Sequence, residues 1–131
     1  MSFYLGVWKS LTAISDHEAA RQYHMLSDGK SAHPKFEARV YAFYLRLTDL
    51  YAEIEMVPED QLDACPWAGS IEMSGSHVIV AIQSHQFEKM RRQIQALSEQ
   101  HDLVCFDPQT GKVNLPPSLR AGQGGAATGS A

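Results

Sequence analysis

The sequence predicts an α+β domain, an antiparallel sheet with helices packed on one face, in the order β-α-α-β-β-α-β-β. Apolar residues that alternate in short runs mark the strands, and apolar residues recurring every three or four positions mark the helices. The later strands come as hairpins whose connections carry glycine. Without the additional helix and the final strand, the order is that of a ferredoxin-like sandwich.

Phe3, Leu5 and Val7 alternate with Tyr4, Gly6 and Trp8 and form the first strand. A helix follows, with Ser15 as N-cap, Glu18 completing a capping box and Gly29 as the stop. Residues 30–33 read as a loop, and Pro34 suits the first turn of the next helix. In that second helix Phe36, Val40, Phe43, Tyr44, Leu47, Leu50, Tyr51 and Ile54 make a broad apolar stripe, read as core. Residues 57–68, with Pro58 and Pro66, form an irregular surface connection carrying one large apolar side chain of note, Trp67.

Ile71 and Met73, the Gly75-Ser76 turn, and Val78, Val80 and Ile82 make the first hairpin. Residues 77–82 are apolar on both faces, so this strand belongs in the centre of the sheet. Ser84 is the expected cap of a third helix whose stripe is Phe87, Met90, Ile94 and Leu97. Residues 103–106 return as a strand, and Val113 and Leu115 belong to one more. Between them Asp107 accepts turn amides, Pro108 presets the backbone and Gly111 takes a positive φ. Gln109, at the tip, has no role in these turn mechanics.

A chain of 131 residues that is 44% apolar and 20% charged can bury one core. We expect a single domain over residues 1–117 and a Gly/Ala/Ser-rich tail over 118–131. The net charge of −4 argues against wholesale binding of nucleic acid and is compatible with a basic protein partner. Cys65 and Cys105 are too few and too far apart for a zinc site. Residues 1–10 lack the basic start and long apolar core of a signal peptide, and no run is long enough to span a membrane. The expectation is a cytoplasmic protein with no membrane contact.

Catalytic signatures are weak. His17 and His24 lie seven apart, too far for shared chelation, and no nucleophile elbow, Walker loop or dinucleotide fingerprint occurs. Residues 58–67 lack the alternating carboxylates of a calcium loop. We therefore expect no enzyme activity, no cofactor and no metal. Lys89, Arg91 and Arg92 form a short basic stripe, read as solvated. The main anomaly is acidic: between Arg46 and Lys89 no Lys or Arg occurs, while carboxylates accumulate. Glu53, Glu55, Glu59, Asp60 and Asp63, with Trp67 as apolar anchor, form the expected partner-binding set. The alternative is a small enzyme or ligand-binding domain using His77, His85 or Asp107 in a pocket. An assembly subunit that dimerises through a sheet edge is a third possibility.

The motifs F-Y-L-G-V-W at the start, C-P-W-A at 65–68 and L-V-C-F-D-P-Q at 103–109 resemble those of small bacterial α/β proteins similar to immunity proteins of interbacterial toxin systems. The resemblance covers about residues 1–117. It implies a cytoplasmic protein that neutralises a cognate toxin by binding it, often a basic nuclease.

Overall fold

The computed structural model of the chain describes residues 2–29 and 36–124. Strand β1 (Ser2–Trp8) is followed by helices α1 (Asp16–Ser27) and α2 (Ala38–Leu50), then by two 3-10 helices, Ile54–Met56 and Glu59–Ala64. The chain continues through β2 (Glu72–Met73), β3 (His77–Gln83), a 3-10 turn at Ser84–Gln86 and α3 (Phe87–Gln100). It ends with β4 (Val104–Asp107), β5 (Lys112–Asn114) and α4 (Pro117–Gly124). The α+β class with an antiparallel sheet is as expected. The sheet has five strands in the order β2-β3-β1-β4-β5, with β1 between β3 and β4. It differs from the four-stranded, one-sided ferredoxin-like arrangement.

The helices cover both faces of the sheet, which corrects the expectation of a single covered face. Leu5 and Val7 of β1, Val78, Val80 and Ile82 of β3, and Cys105 of β4 face one cluster with α2 and α3. Trp8, Ile79, Val104 and Phe106 face a second cluster with Ala19 and Tyr23 of α1 and with Leu115. The strands are apolar on alternate residues of both faces. Leaving either face wet would forfeit about 1.5–3 kcal/mol for each large side chain. Trp8 Nε1 donates to Gln22 Oε1 at 2.8 Å, and the Val113 amide donates to Asp16 Oδ1 at 2.9 Å, fixing α1 over the second face. Gly6 makes room for α1: a Cβ there would lie 2.7 Å from the Tyr23 ring.

Local signals explain most boundaries. Ser15 caps α1, its hydroxyl accepting the Glu18 amide at 3.0 Å, and Gly29 ends the turn at φ +70°. Glu18 does not close the capping box; its carboxylate takes Arg21 and Gln22 instead. The α2 stripe is narrower than predicted: Val40, Phe43 and Leu47 are buried, whereas Phe36 and Leu50 are exposed. Pro34 lies outside the described residues. Ser84 starts a 3-10 turn and does not cap α3. The predicted α3 stripe of Phe87, Met90, Ile94 and Leu97 is buried throughout.

The tail expected from residue 118 begins as a helix. Ser118 donates to Asp102 at 2.5 Å, Arg120 pairs with Glu99 at 2.5 Å, and Leu119 packs on the second cluster. Pro117 supplies a preset φ for its first turn. The rest of the predicted tail lies outside the described residues.

Candidate functional site

The acidic interval folds as a ledge along the β2 edge of the sheet. Trp67 pairs with Ile82 in an isolated antiparallel bridge, and the Ala68 and Gln83 amides bond Ala81 O and Pro66 O, both at 2.8 Å. The Gln83 side chain donates to Cys65 O at 2.7 Å, and Gln86 reaches Ala64 O at 3.1 Å. These bonds satisfy carbonyls at the end of the second 3-10 helix and fasten it to the core. The helix opens with Glu59 and Asp60, a placement its partial positive N-terminus favours.

Trp67 is not a surface anchor. It is completely buried, and its indole N–H donates to Ala52 O at 3.0 Å. Its ring meets Tyr51 edge-on at 6.3 Å. The C-P-W-A segment runs beside β3, so its tryptophan enters the core; as a partner contact this residue is withdrawn. Among the large apolar side chains of the ledge, Met56 is the exposed one, at 74%.

Of the five predicted carboxylates, Glu53 and Glu55 lie at the first 3-10 helix and Glu59, Asp60 and Asp63 on the second. Glu53 accepts the Tyr44 hydroxyl at 2.8 Å, and this bond raises the tyrosine pKa. Glu55 accepts the Ser70 hydroxyl, which lowers its own pKa. Glu59, Asp60 and Asp63 are exposed. Among the described residues none of the five has a cationic partner within 4.0 Å, whereas Asp16, Glu18, Asp49, Glu88, Glu99 and Asp102 all do. Shallow clefts flank the ledge. One, of about 390 Å³, includes Asp60, Asp63 and Tyr51; the other, of about 470 Å³, includes Leu62, Trp67 and His85.

Among the described cavities, none brings His77 or His85 together with Asp107. His85 lines the larger ledge cleft, Asp107 lines a groove on the other side of β1, and His77 lines neither nor the remaining ledge cleft. His77 is buried between two partners: Ser74 Oγ at 2.7 Å from Nδ1 and Glu72 Oε2 at 2.8 Å from Nε2. A hydroxyl, an imidazole and a carboxylate in sequence is the order of a nucleophile and its base. Here, however, Ser74 Oγ also accepts the Ser76 and His77 amides at 3.1 and 3.2 Å. These two bonds close the turn between β2 and β3. The trio locks the β2–β3 hairpin. No group of three or more His, Cys, Asp or Glu able to hold a metal ion occurs among the described residues. No helix among them is long and apolar enough to cross a membrane.

Gln109, which turn mechanics left unexplained, stands in for a strand. Tyr4 N–H donates to its Oε1 at 2.7 Å, and its Nε2 donates to Tyr4 O at 2.8 Å. The β1–β4 ladder ends at the Gly6–Phe106 pair because Pro108 follows Asp107. The Gln109 side-chain amide supplies the peptide that the proline turn cannot. Asp107 Oδ1 holds it there, accepting Gln109 N at 2.9 Å and Nε2 at 2.5 Å.

Searches against family models, curated proteins and solved structures found no match to this chain.

Proposed function

We propose that the chain is a non-enzymatic binding protein that engages a basic protein partner through the acidic ledge. The observation that carries this reading is the set of carboxylates at Glu53, Glu55, Glu59, Asp60 and Asp63, which lack cationic partners among the described residues. Like charges on two consecutive 3-10 helices repel one another, and a basic surface relieves that repulsion while steering its own approach. Met56 offers an exposed apolar contact beside them. The alternative of a histidine-containing enzyme pocket has less support, since no described cavity holds two of His77, His85 and Asp107.

The resemblance of the F-Y-L-G-V-W, C-P-W-A and L-V-C-F-D-P-Q motifs gives the partner a class. On it we propose an immunity protein, acting in the cytoplasm on a basic toxin domain, most simply a nuclease. The test starts from the neighbouring genes: where one encodes a toxin domain, its association with this protein is followed by stopped flow. Glu59→Lys with Asp60→Lys should slow association at low salt by about tenfold and flatten its salt dependence. An unchanged rate at low salt would refute the ledge as the docking surface.

A further inference from the structure

On the other side of β1 from the ledge, between α3 and the β4–β5 hairpin, lies a groove of about 680 Å³. Its walls are apolar at Phe3, Phe87 and Val113, and Asp107 lines it. The two phenyl rings meet edge-on at 4.9 Å, giving a firm aromatic wall.

Asp107 is the feature that the fold does not fully account for. It is only 4% exposed. Its Oδ1 takes the two N–H groups of Gln109, while Oδ2 takes no hydrogen bond from any described residue. Nor does a described cation stand within 4.0 Å of it. Two cations line the same groove, and both are engaged elsewhere. Arg91 forks onto Glu88 and reaches Gln95 Oε1 at 3.4 Å. Lys112 is 76% exposed and leans towards Asp16 at 3.7 Å. Arg91 is the positive charge that acts on Asp107, from beyond 4.0 Å and while bonded to Glu88. A nearly buried carboxylate with one oxygen unbonded by any described residue and its counter-charge held at a distance is better satisfied by a ligand that brings both a donor and a positive charge.

We infer that this groove binds a primary ammonium group carried on an apolar or aromatic body. The ammonium donates to Asp107 Oδ2, and its remaining N–H groups have Thr110 Oγ1 and Asn114 Oδ1 as acceptors along the groove. The body lies against Phe3 and Phe87, whose ring faces also attract a cation. A neutral alcohol would supply a donor without the charge, and an anion would meet the carboxylate directly. The ammonium has two possible sources, a free small amine or a lysine side chain of a protein. This inference rests on the groove alone and stands or falls separately from the acidic ledge.

The experiment is an amide chemical-shift titration of the whole protein with 2-phenylethylamine and, in a second arm, with acetyl-Gly-Lys-Gly-amide. 2-Phenylethanol serves as the neutral control. Saturable shifts centred on Asp107, Thr110 and Asn114 are expected from at least one amine arm, and the tighter arm identifies the source. Asp107→Asn keeps an oxygen to cap the turn and removes the charge; it should weaken that binding about 10- to 100-fold. The alcohol control reads the same question in the unaltered protein, independently of how the variant folds. Saturation by neither amine, equal binding of the alcohol, or undiminished binding by a folded Asp107→Asn protein would each overturn the proposal.

Discussion

Replacing Gln109 by alanine tests whether one side chain extends a β-ladder. The substitution removes the two bonds to the Tyr4 backbone, at 2.7 and 2.8 Å, and the bond from Nε2 to Asp107 at 2.5 Å. The contacts to Tyr4 are exposed, so water can replace the lost partners and each bond is worth the lower part of its usual range. The expected loss is about 1–2 kcal/mol. Urea denaturation measures it, and hydrogen exchange locates it. The Tyr4 amide should exchange faster, while the Gly6 amide, opposite Phe106 within the ladder, should be little changed. Gln109→Glu sharpens the test because it keeps an acceptor for Tyr4 N–H but sets a carboxylate against Asp107 and Tyr4 O. It should be less stable than the alanine variant at neutral pH, and that difference should vanish below about pH 4 as the carboxyl protonates. An alanine variant within about 0.3 kcal/mol of the parent, with Tyr4 exchange unchanged, would refute the reasoning.

Gly6→Ala should destabilise the protein by about 1–3 kcal/mol in urea, because the new Cβ meets the Tyr23 ring at 2.7 Å and the Trp8 ring at 3.2 Å within a packed cluster. A neutral result would mean that α1 shifts freely on its face. Glu18 should titrate at about 2, its carboxylate held down first by the Arg21 hydrogen bond and then by Gln22. Since its folded pKa lies below the ordinary value of 4.5, its contribution to stability is present above that value and fades as pH falls towards about 2. Carboxyl-detected NMR should show Arg21→Ala moving the Glu18 midpoint up towards the ordinary value; an unmoved midpoint would exclude the arginine as the main cause.

Much of the fold was legible because it depends on short-range chemistry. The α3 stripe, the Ser15 cap, the Gly29 stop and the Asp107-Pro108-Gly111 turn each follow from residues a few positions apart. The acidic ledge was legible as charge, since a run without Lys or Arg is visible in one dimension. The two covered faces were also written in the sequence: Trp8, Ile79, Val104 and Phe106 are the apolar residues of a face that water could not have occupied. At residues 77–82 the same two-faced apolar pattern fits both a central strand and two covered faces, and the local pattern does not separate them.

By itself the sequence determined where the five strands, the three longer helices and the main turns form and where negative charge accumulates, because backbone propensity, hydrophobic period and local charge act over a few residues; the short helices at 54–56, 59–64 and 117–124 were not among them. Tertiary structure alone decided what those residues face. Trp67 became core because C-P-W-A runs beside Ile82, 15 positions away in the chain. Gln109 became a strand substitute because the hairpin brings it to Tyr4, 105 positions away. Asp107 came to lie nearly buried beside a groove with one oxygen vacant among the described residues because α3 closes over the same hairpin. Each outcome depends on contacts between residues far apart in the chain, and the local pattern around a residue carries no record of what folding will set opposite it.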